Sequence, residues 1–339
     1  MEAYATARLH SKLRVSRRRP LQKPVHVGRE NDTQMELRGW RNIVFVVLAC
    51  LAETTCWAGE KTSRPKVLGI AFARVRVSNP EGDSFYGGVL KLPRLGVGSC
   101  ISFEGQCYFV NLYQRIELVK LENPKDSNLL AAVGLYTSDV KAIHAYLISR
   151  GYEPGEIISD RHGTTYFEIR DPEKLGLFFV SQPEGIGASI SGGPPIASGI
   201  IHAGWVVKDR EAMDKFYKDV LGFHVYWQGG MKEGETNWVD MQVPDGTDWI
   251  EYMLRVPADA DKRTLGVMNH IALGVPDVRA AANQMEKAGV KLTEQPKIGR
   301  DGKWQLNLYD PDRTRVELME FTPVEKPCCA EYTGPHPKP

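Results

Sequence analysis

Three things are scarce in this chain of 339 residues. Net charge is the first: 43 basic and 42 acidic side chains leave +1. That balance offers no basic surface for nucleic acid and no pull towards an acidic partner. Long hydrophobic runs are the second. The apolar run 43–52 covers ten residues, too few to span a bilayer. Cysteine is the third, with six in all and no pair at the spacing of a zinc site. What remains is ordinary for a globular protein: 42% hydrophobic and 25% charged, in a length sufficient for two domains.

The first residues differ from the rest. Residues 1–34 are polar and Arg-rich, and are expected to be a disordered extension or a start placed too early, with Met35 the initiator. SRRRPLQK (16–23) resembles a twin-arginine signal, but the apolar core begins too far downstream of it. Residues 35–58 read as a signal peptide. Arg38 and Arg41 are its basic start, 43–52 its apolar core, and Cys56-Trp57-Ala58 its small-x-small cleavage site before Gly59. The expectation is export to a periplasm or beyond, with no membrane contact after cleavage; an uncleaved membrane anchor is the alternative. Export implies an oxidising compartment. There Cys100 and Cys107, on either side of ISFEGQ, are placed for a local disulfide, while Cys328 and Cys329 adjoin in a Pro-rich tail.

The chain repeats itself. SDVKAIHAYLISRGYE (138–153) and PDVRAAANQMEKAGVK (276–291) share Asp-Val-basic-Ala and a Gly thirteen positions from their start. Val140, Ile143, His144 and Leu147 in one, and Val278, Ala281, Ala282 and Met285 in the other, fall at helical spacing. SFYGGVLKLP (84–93) and KFYKDVLGFH (215–224) form a second pair. Each helix follows one strand and precedes three more. Module three places strands at 199–207, 223–228, 236–242 and 248–256; module four at 267–275, 290–297, 303–308 and 314–321. The predicted fold is therefore α+β, with four βαβββ modules arranged as two domains. Modules one and two occupy 67–182, a Gly/Ser/Pro linker 183–198, modules three and four 199–323, and a disordered tail 324–339.

The repeat gives two histidines matching addresses. His202 and His270 lie in the first strands of modules three and four, Glu251 and Glu317 in the last. The His-to-Glu separations are 49 and 47 residues. Alternation puts Gly204 and Val206 beside His202, and Ala272 and Gly274 beside His270, with mostly bulky residues (Ile201, Ala203 and Trp205 in the first) on the opposite face. Small residues beside an imidazole suit a cavity. Two Glu on a buried face are costly unless a cation balances them, and the first strands supply no Lys or Arg. One divalent ion (Zn, Ni, Co, Mn or Fe) does so, with His202, Glu251, His270 and Glu317 as its ligands; a hydrogen-bonded His/Glu cluster is the alternative. The same slots in modules one and two hold Phe72, Ala132, Glu117 and Phe178, so this half reads as a metal-free companion. Lys232, Arg300 and Lys303 fall in loops near the strands. Trp238, Tyr252, Trp304 and Tyr309 are the candidate substrate-pocket aromatics.

FYKDVLGF, HIALGV, LYDPDRTRVELMEF and the paired modules resemble the vicinal oxygen chelate superfamily, which takes in glyoxalase I, extradiol dioxygenases and bleomycin-resistance proteins. The resemblance is strong over 199–323 and loose before. It implies that each module pair forms a curved, cavity-lining sheet. The His, Glu, His, Glu set is similar to that of glyoxalase I, which implies a lyase or isomerase acting on a small hydroxycarbonyl through a metal-stabilised enediolate, with Glu317 the general base. A glutathione adduct is disfavoured by export and by the lack of a basic cluster. Two alternatives accompany this: an Fe(II) extradiol-type dioxygenase using His202, His270 and Glu317, and a non-catalytic small-molecule binding protein of the resistance type. The partner expected is a small-molecule substrate, with the chain a monomer or homodimer.

Overall fold

The Asp-Val pair that marks the repeat is a helix start. In the computed structural model the side chain of Asp139 accepts from the Ala142 N–H, and that of Asp277 from the Ala280 N–H, each at 2.9 Å. Each satisfies a backbone donor that the first helical turn leaves over. Both helices end at a glycine in the left-handed region, Gly151 and Gly289, each with φ 83°, where a side chain would be strained.

The structure describes residues 63–94, 100, 105–160, 163–181 and 196–339. The extension 1–34, the signal segment 35–58 and most of the linker 183–198 lie outside these. Every described residue belongs to one compact unit, Lys61–Pro339. Module one comprises β1 (Val67–Val77), a π-helical turn Phe85–Val89, β2 (Gln106–Phe109) and β3 (Arg115–Lys120). Module two comprises β4 (Leu130–Thr137), α1 (Val140–Ser149), β5 (Ile158–Ser159), β6 (Thr165–Arg170) and β7 (Gly176–Ser181). Module three has β8 (Gly199–Val206), α2 (Arg210–Asp214, continued by a π-helical stretch Lys215–Val220), β9 (His224–Gly229), β10 (Trp238–Gln242) and β11 (Trp249–Met253). After a short helix α3 (Lys262–Met268), module four has β12 (His270–Val275), α4 (Val278–Lys287), β13 (Lys297–Ile298), β14 (Trp304–Tyr309) and β15 (Arg315–Glu320).

Each pair of modules makes one curled sheet. The orders are β2-β3-β1-β4-β7-β6-β5 and β13-β14-β15-β12-β8-β11-β10-β9. In both, the two first strands pair antiparallel at the centre, and each pairs parallel with the last strand of its own module. One apolar core, containing Phe167, Phe179, Trp205, Phe216 and Tyr252, runs through both halves. Polar links join them as well. Buried Gln114 donates to the Ile70 and Ile200 carbonyls, and Asp171 accepts from Trp205 and Tyr217.

Several details depart from the sequence reading. The strand expected at 290–297 shrinks to Lys297–Ile298, because the segment is largely exposed and Pro296 carries no N–H for a ladder. Helix α3 was not expected; Asp261 caps it through the Thr264 N–H. Ile201 does not oppose His202. A bulge in the β8–β12 ladder skips it, so Ile201 joins the cavity-side cluster with Trp249 and Met319. Residues 324–339 hold a fixed course instead of a disordered one. Their backbone bonds to that of Gly302, Arg300 and Tyr226, Pro335 accepts from Gln242, and the Tyr332 ring packs 4.7 Å from that of Tyr226. Cys100 is bonded to Cys107, and Cys328 to Cys329. No helix among the described residues is long and apolar enough to cross a membrane.

The register of the eight-stranded sheet lays two rows side by side. One runs Asn307, Glu317, Ala272, His202, Trp249; the next runs His270, Gly204, Glu251, Asp240, Trp227. In each row a Glu of one module and a His of the other flank a residue with little or no side chain. The His270 ring lies over Gly204: a Cβ there would come 2.3 Å from the ring. Gly204→Ala should therefore displace the imidazole and destabilise the fold by about 1–3 kcal/mol. A lowered urea midpoint at unchanged m-value would register this; a midpoint equal to wild type would show that the ring has room to move.

Candidate metal centre

Strands β15, β12, β8 and β11 are consecutive in the sheet, and each gives one side chain to the same hollow. The two imidazole Nε2 atoms stand 3.1 Å apart. Glu251 Oε2 is 3.1 Å from His270 Nε2 and 3.7 Å from His202 Nε2. Glu317 Oε2 is 3.9 and 4.0 Å from the same atoms. Ligands about 2.1 Å from a common ion stand roughly 3–4 Å from one another, the spacing observed. The tightest subset is His202, Glu251 and His270, whose ligand atoms all lie within 4.8 Å of one another; Glu317 is the looser fourth.

The donors are prepared for a cation. His270 Nδ1 lies 3.1 Å from the Met268 carbonyl. That contact places the proton on Nδ1 and leaves the Nε2 lone pair facing the hollow. Burial holds both imidazoles well below their usual pKa, so they are neutral. Burial also raises the carboxyl of Glu251 to about 7 against the pull of Arg315. It raises Glu317 to about 7 as well, with Arg315 opposing and Glu251 adding to the rise. Asp240, directly across the ladder from Glu251, is pushed well above the usual carboxylate range by burial and then by Glu251. This set of donors, two neutral nitrogens and two carboxylates short of positive charge, fits a divalent ion.

The surrounding cavity has a volume of about 340 Å³. Trp227, Trp238 and Trp249 form one wall; Gln305, Asn307, Arg315 and Met319 form another, with Lys297, Arg300 and Asp301 alongside. Trp249 lies against the His202 ring at 5.0 Å. Of the four aromatics expected to line the pocket, Trp238 does. Tyr252 faces the apolar core and packs on Tyr217, because it follows Glu251 and alternation sends it through the sheet. Trp304 is also turned away, under the Arg279 guanidinium at 4.7 Å. Tyr309, at the far end of β14, donates to Glu294. Trp249, Arg315 and Met319 were missed although they share parity with Glu251 or Glu317, and that parity was the available signal. Lys303, placed in a loop by sequence, is fully buried. Its Nζ sits over the rings of Trp249, Tyr226 and Tyr332 at 4.5, 5.2 and 5.2 Å, and burial lowers its pKa to about 8 against the opposing charges of Asp301 and Asp240.

The corresponding place in the seven-stranded sheet is filled. The rings of Phe72 and Phe178 meet at 5.4 Å, and fully buried Glu117 is held by Arg74 and Arg115 at 2.8 and 2.9 Å. Two guanidiniums there contact the acid directly, whereas Arg315 stays 3.9 Å from Glu317 in the other sheet.

A family model described as the Glyoxalase/Bleomycin resistance protein/Dioxygenase superfamily matches residues 199–318. No curated protein matches the chain. Among solved structures, a catechol 2,3-dioxygenase is 16% identical with a TM-score of 0.57, over 81% of this chain and 96% of that one. The 2,3-dioxygenase LapB from Pseudomonas sp. KL28 is 15% identical with a TM-score of 0.56, over 82% and 96%. An extradiol ring-cleaving dioxygenase from B. fuscum is 18% identical with a TM-score of 0.55, over 76% and 73%. At these identities the likeness is one of fold.

Metal binding should be steeply pH-dependent. Ionised carboxylates bind the ion and protonated ones do not, so with both near 7 the affinity is full above that value and falls as pH drops through it. Equilibrium dialysis with Co²⁺ should show about 10- to 100-fold weaker binding at pH 6 than at pH 8. Equal affinity at the two values would mean that these carboxylates are not ligands.

Proposed function

We propose, from the match of residues 199–318 to the model of the Glyoxalase/Bleomycin resistance protein/Dioxygenase superfamily, that the chain is a metal-dependent lyase or isomerase acting on a small substrate with vicinal oxygens. The observation that carries this reading is the convergence of four ligand-type side chains, from four adjacent strands, at 3.1–4.0 Å. His202, Glu251, His270 and Glu317 would hold one divalent ion. Such an ion supplies Lewis acidity, polarising a substrate oxygen and acidifying the neighbouring C–H.

The rest falls to the chain. Glu317 is the proton carrier. It reaches both imidazoles only at 3.9–4.0 Å, whereas Glu251 is drawn in to 3.1 Å of His270. A carboxyl raised to about 7 is basic enough to take a carbon-bound proton and acidic enough to return it at the adjacent carbon. The indoles of Trp227, Trp238 and Trp249 cover the substrate and keep bulk water from the exchanging proton. The Cys100–Cys107 bridge accords with the oxidising compartment that export by residues 35–58 would provide.

A second reading is favoured by the overlay on 2,3-dioxygenases through both halves of the chain. It is Fe(II)-dependent ring cleavage with His202, His270 and Glu317 as the ligands, leaving Glu251 dispensable. Glu251→Ala separates the two: the first reading expects lost metal affinity, the second retained iron and oxygen uptake with catechols.

For the first reading, the test is proton exchange in D₂O with a panel of 2-hydroxyaldehydes and 2-hydroxyketones, followed by NMR. Metal-loaded wild type should exchange the α-proton of one member. Glu317→Gln should retain the ion and lose about 10²–10⁴-fold in rate. Exchange by Glu317→Gln at the wild-type rate, or none by wild type with any member, would refute the assignment.

A further inference from the structure

Arg315 is not among the residues that would hold an ion, and beyond its long ion pair with Glu317 its Nε makes no hydrogen bond. It lies two residues before Glu317 on β15 and lines the cavity on the wall facing the indoles. Its Nε is buried without a hydrogen-bond partner. Its Nη2 comes no nearer than 3.9 Å to Glu317 Oε2, beyond hydrogen-bond reach. Buried arginine donors are ordinarily satisfied. In the other sheet the two Nε donors are: Arg74 Nε donates to Glu117 at 2.9 Å, and so does Arg115 Nε, although Arg115 Nη2 is left without a partner. A guanidinium on a cavity wall whose buried Nε has no partner is suited to receive an acceptor that arrives with the ligand.

We propose that Arg315 binds a carboxylate on the substrate, so that the natural substrate is an anion with vicinal oxygens at the metal and an acidic group on the β14–β15 wall. This rests on the reading of the hollow as a metal-held vicinal-oxygen site and specifies its substrate class. The local charges permit it. Asp240, Glu251, Asp301 and Glu317 surround the hollow, and a divalent ion, Lys303 and Arg315 together offset them. Arg300 at the mouth is then surplus, since its partners are the Gly230 carbonyl and the Cys329 sulfur. An anion entering the cavity meets no uncompensated negative charge, and the fork geometry of the guanidinium suits two carboxylate oxygens at once. The wall helps to place it. Asn307 and Gln305 are turned to Glu294 and Asp301, which leaves Arg315 as the donor that faces the cavity from these two strands.

The test is calorimetric titration of zinc-loaded protein under anaerobic conditions with two probes, catechol and 3,4-dihydroxybenzoate. They share the vicinal oxygens and differ in one carboxylate. Wild type should prefer the carboxylated probe by about 10- to 100-fold. Arg315→Gln should lose most of that preference while taking up zinc normally, and Arg315→Lys should recover part of it. Equal affinity of wild type for the two probes overturns the assignment, as does a preference undiminished in Arg315→Gln; the metal-site reading survives either result, because catechol still binds. Failure of zinc-loaded wild type to bind either probe overturns both.

Discussion

Two buried carboxylates facing two buried imidazoles are the constraint on which the rest of this structure depends. Carboxylates in such a setting either protonate or acquire a cation. The sheet is arranged so that neither Glu can escape the other: antiparallel pairing of β8 with β12 brings the modules together about a local two-fold relation, and each Glu reaches a His of the other module across Ala272 or Gly204. Neither module holds the site alone. Pairing brings one His and one Glu from each module, four ligand-type side chains, into one hollow.

The N-terminal half shows what the same topology does without that pattern. Its one carboxylate in the equivalent row, Glu117, is neutralised by two arginines, and phenylalanine rings occupy the remaining volume. Arg74 lies over the Phe72 and Phe178 rings at 5.2 and 4.8 Å, so the guanidinium both pairs the acid and packs the apolar space. One sheet closes its hollow with protein atoms. The other keeps about 340 Å³ open and places Arg315 beyond hydrogen-bond reach of the acid.

Much of this was legible in the sequence because it depends on period and local chemistry. The Asp-Val repeat marks real caps at Asp139 and Asp277, and strand parity placed His202, Glu251, His270 and Glu317 on one face. The failures have physical causes. Parity breaks at a bulge, so Ile201 was assigned to the wrong face. Tyr252 directly follows Glu251, so alternation turns it away from the hollow, and Trp304 lies on a strand without a ligand of its own to set its parity. The course of 324–339 depends on backbone hydrogen bonds to β9 and to the loop at 300–302, which no periodicity announces. Lys303 looks like a loop cation in sequence; only the tail bringing Tyr332 over it, with Tyr226 and Trp249 beneath, makes it an interior one.

The most direct test of the central claim is X-ray absorption on protein loaded with cobalt and freed of excess metal. The account predicts one ion per chain with a first shell of nitrogen and oxygen at about 2.0–2.2 Å and outer-shell scattering from two imidazole rings. Substoichiometric cobalt, or a shell without imidazole, would contradict it.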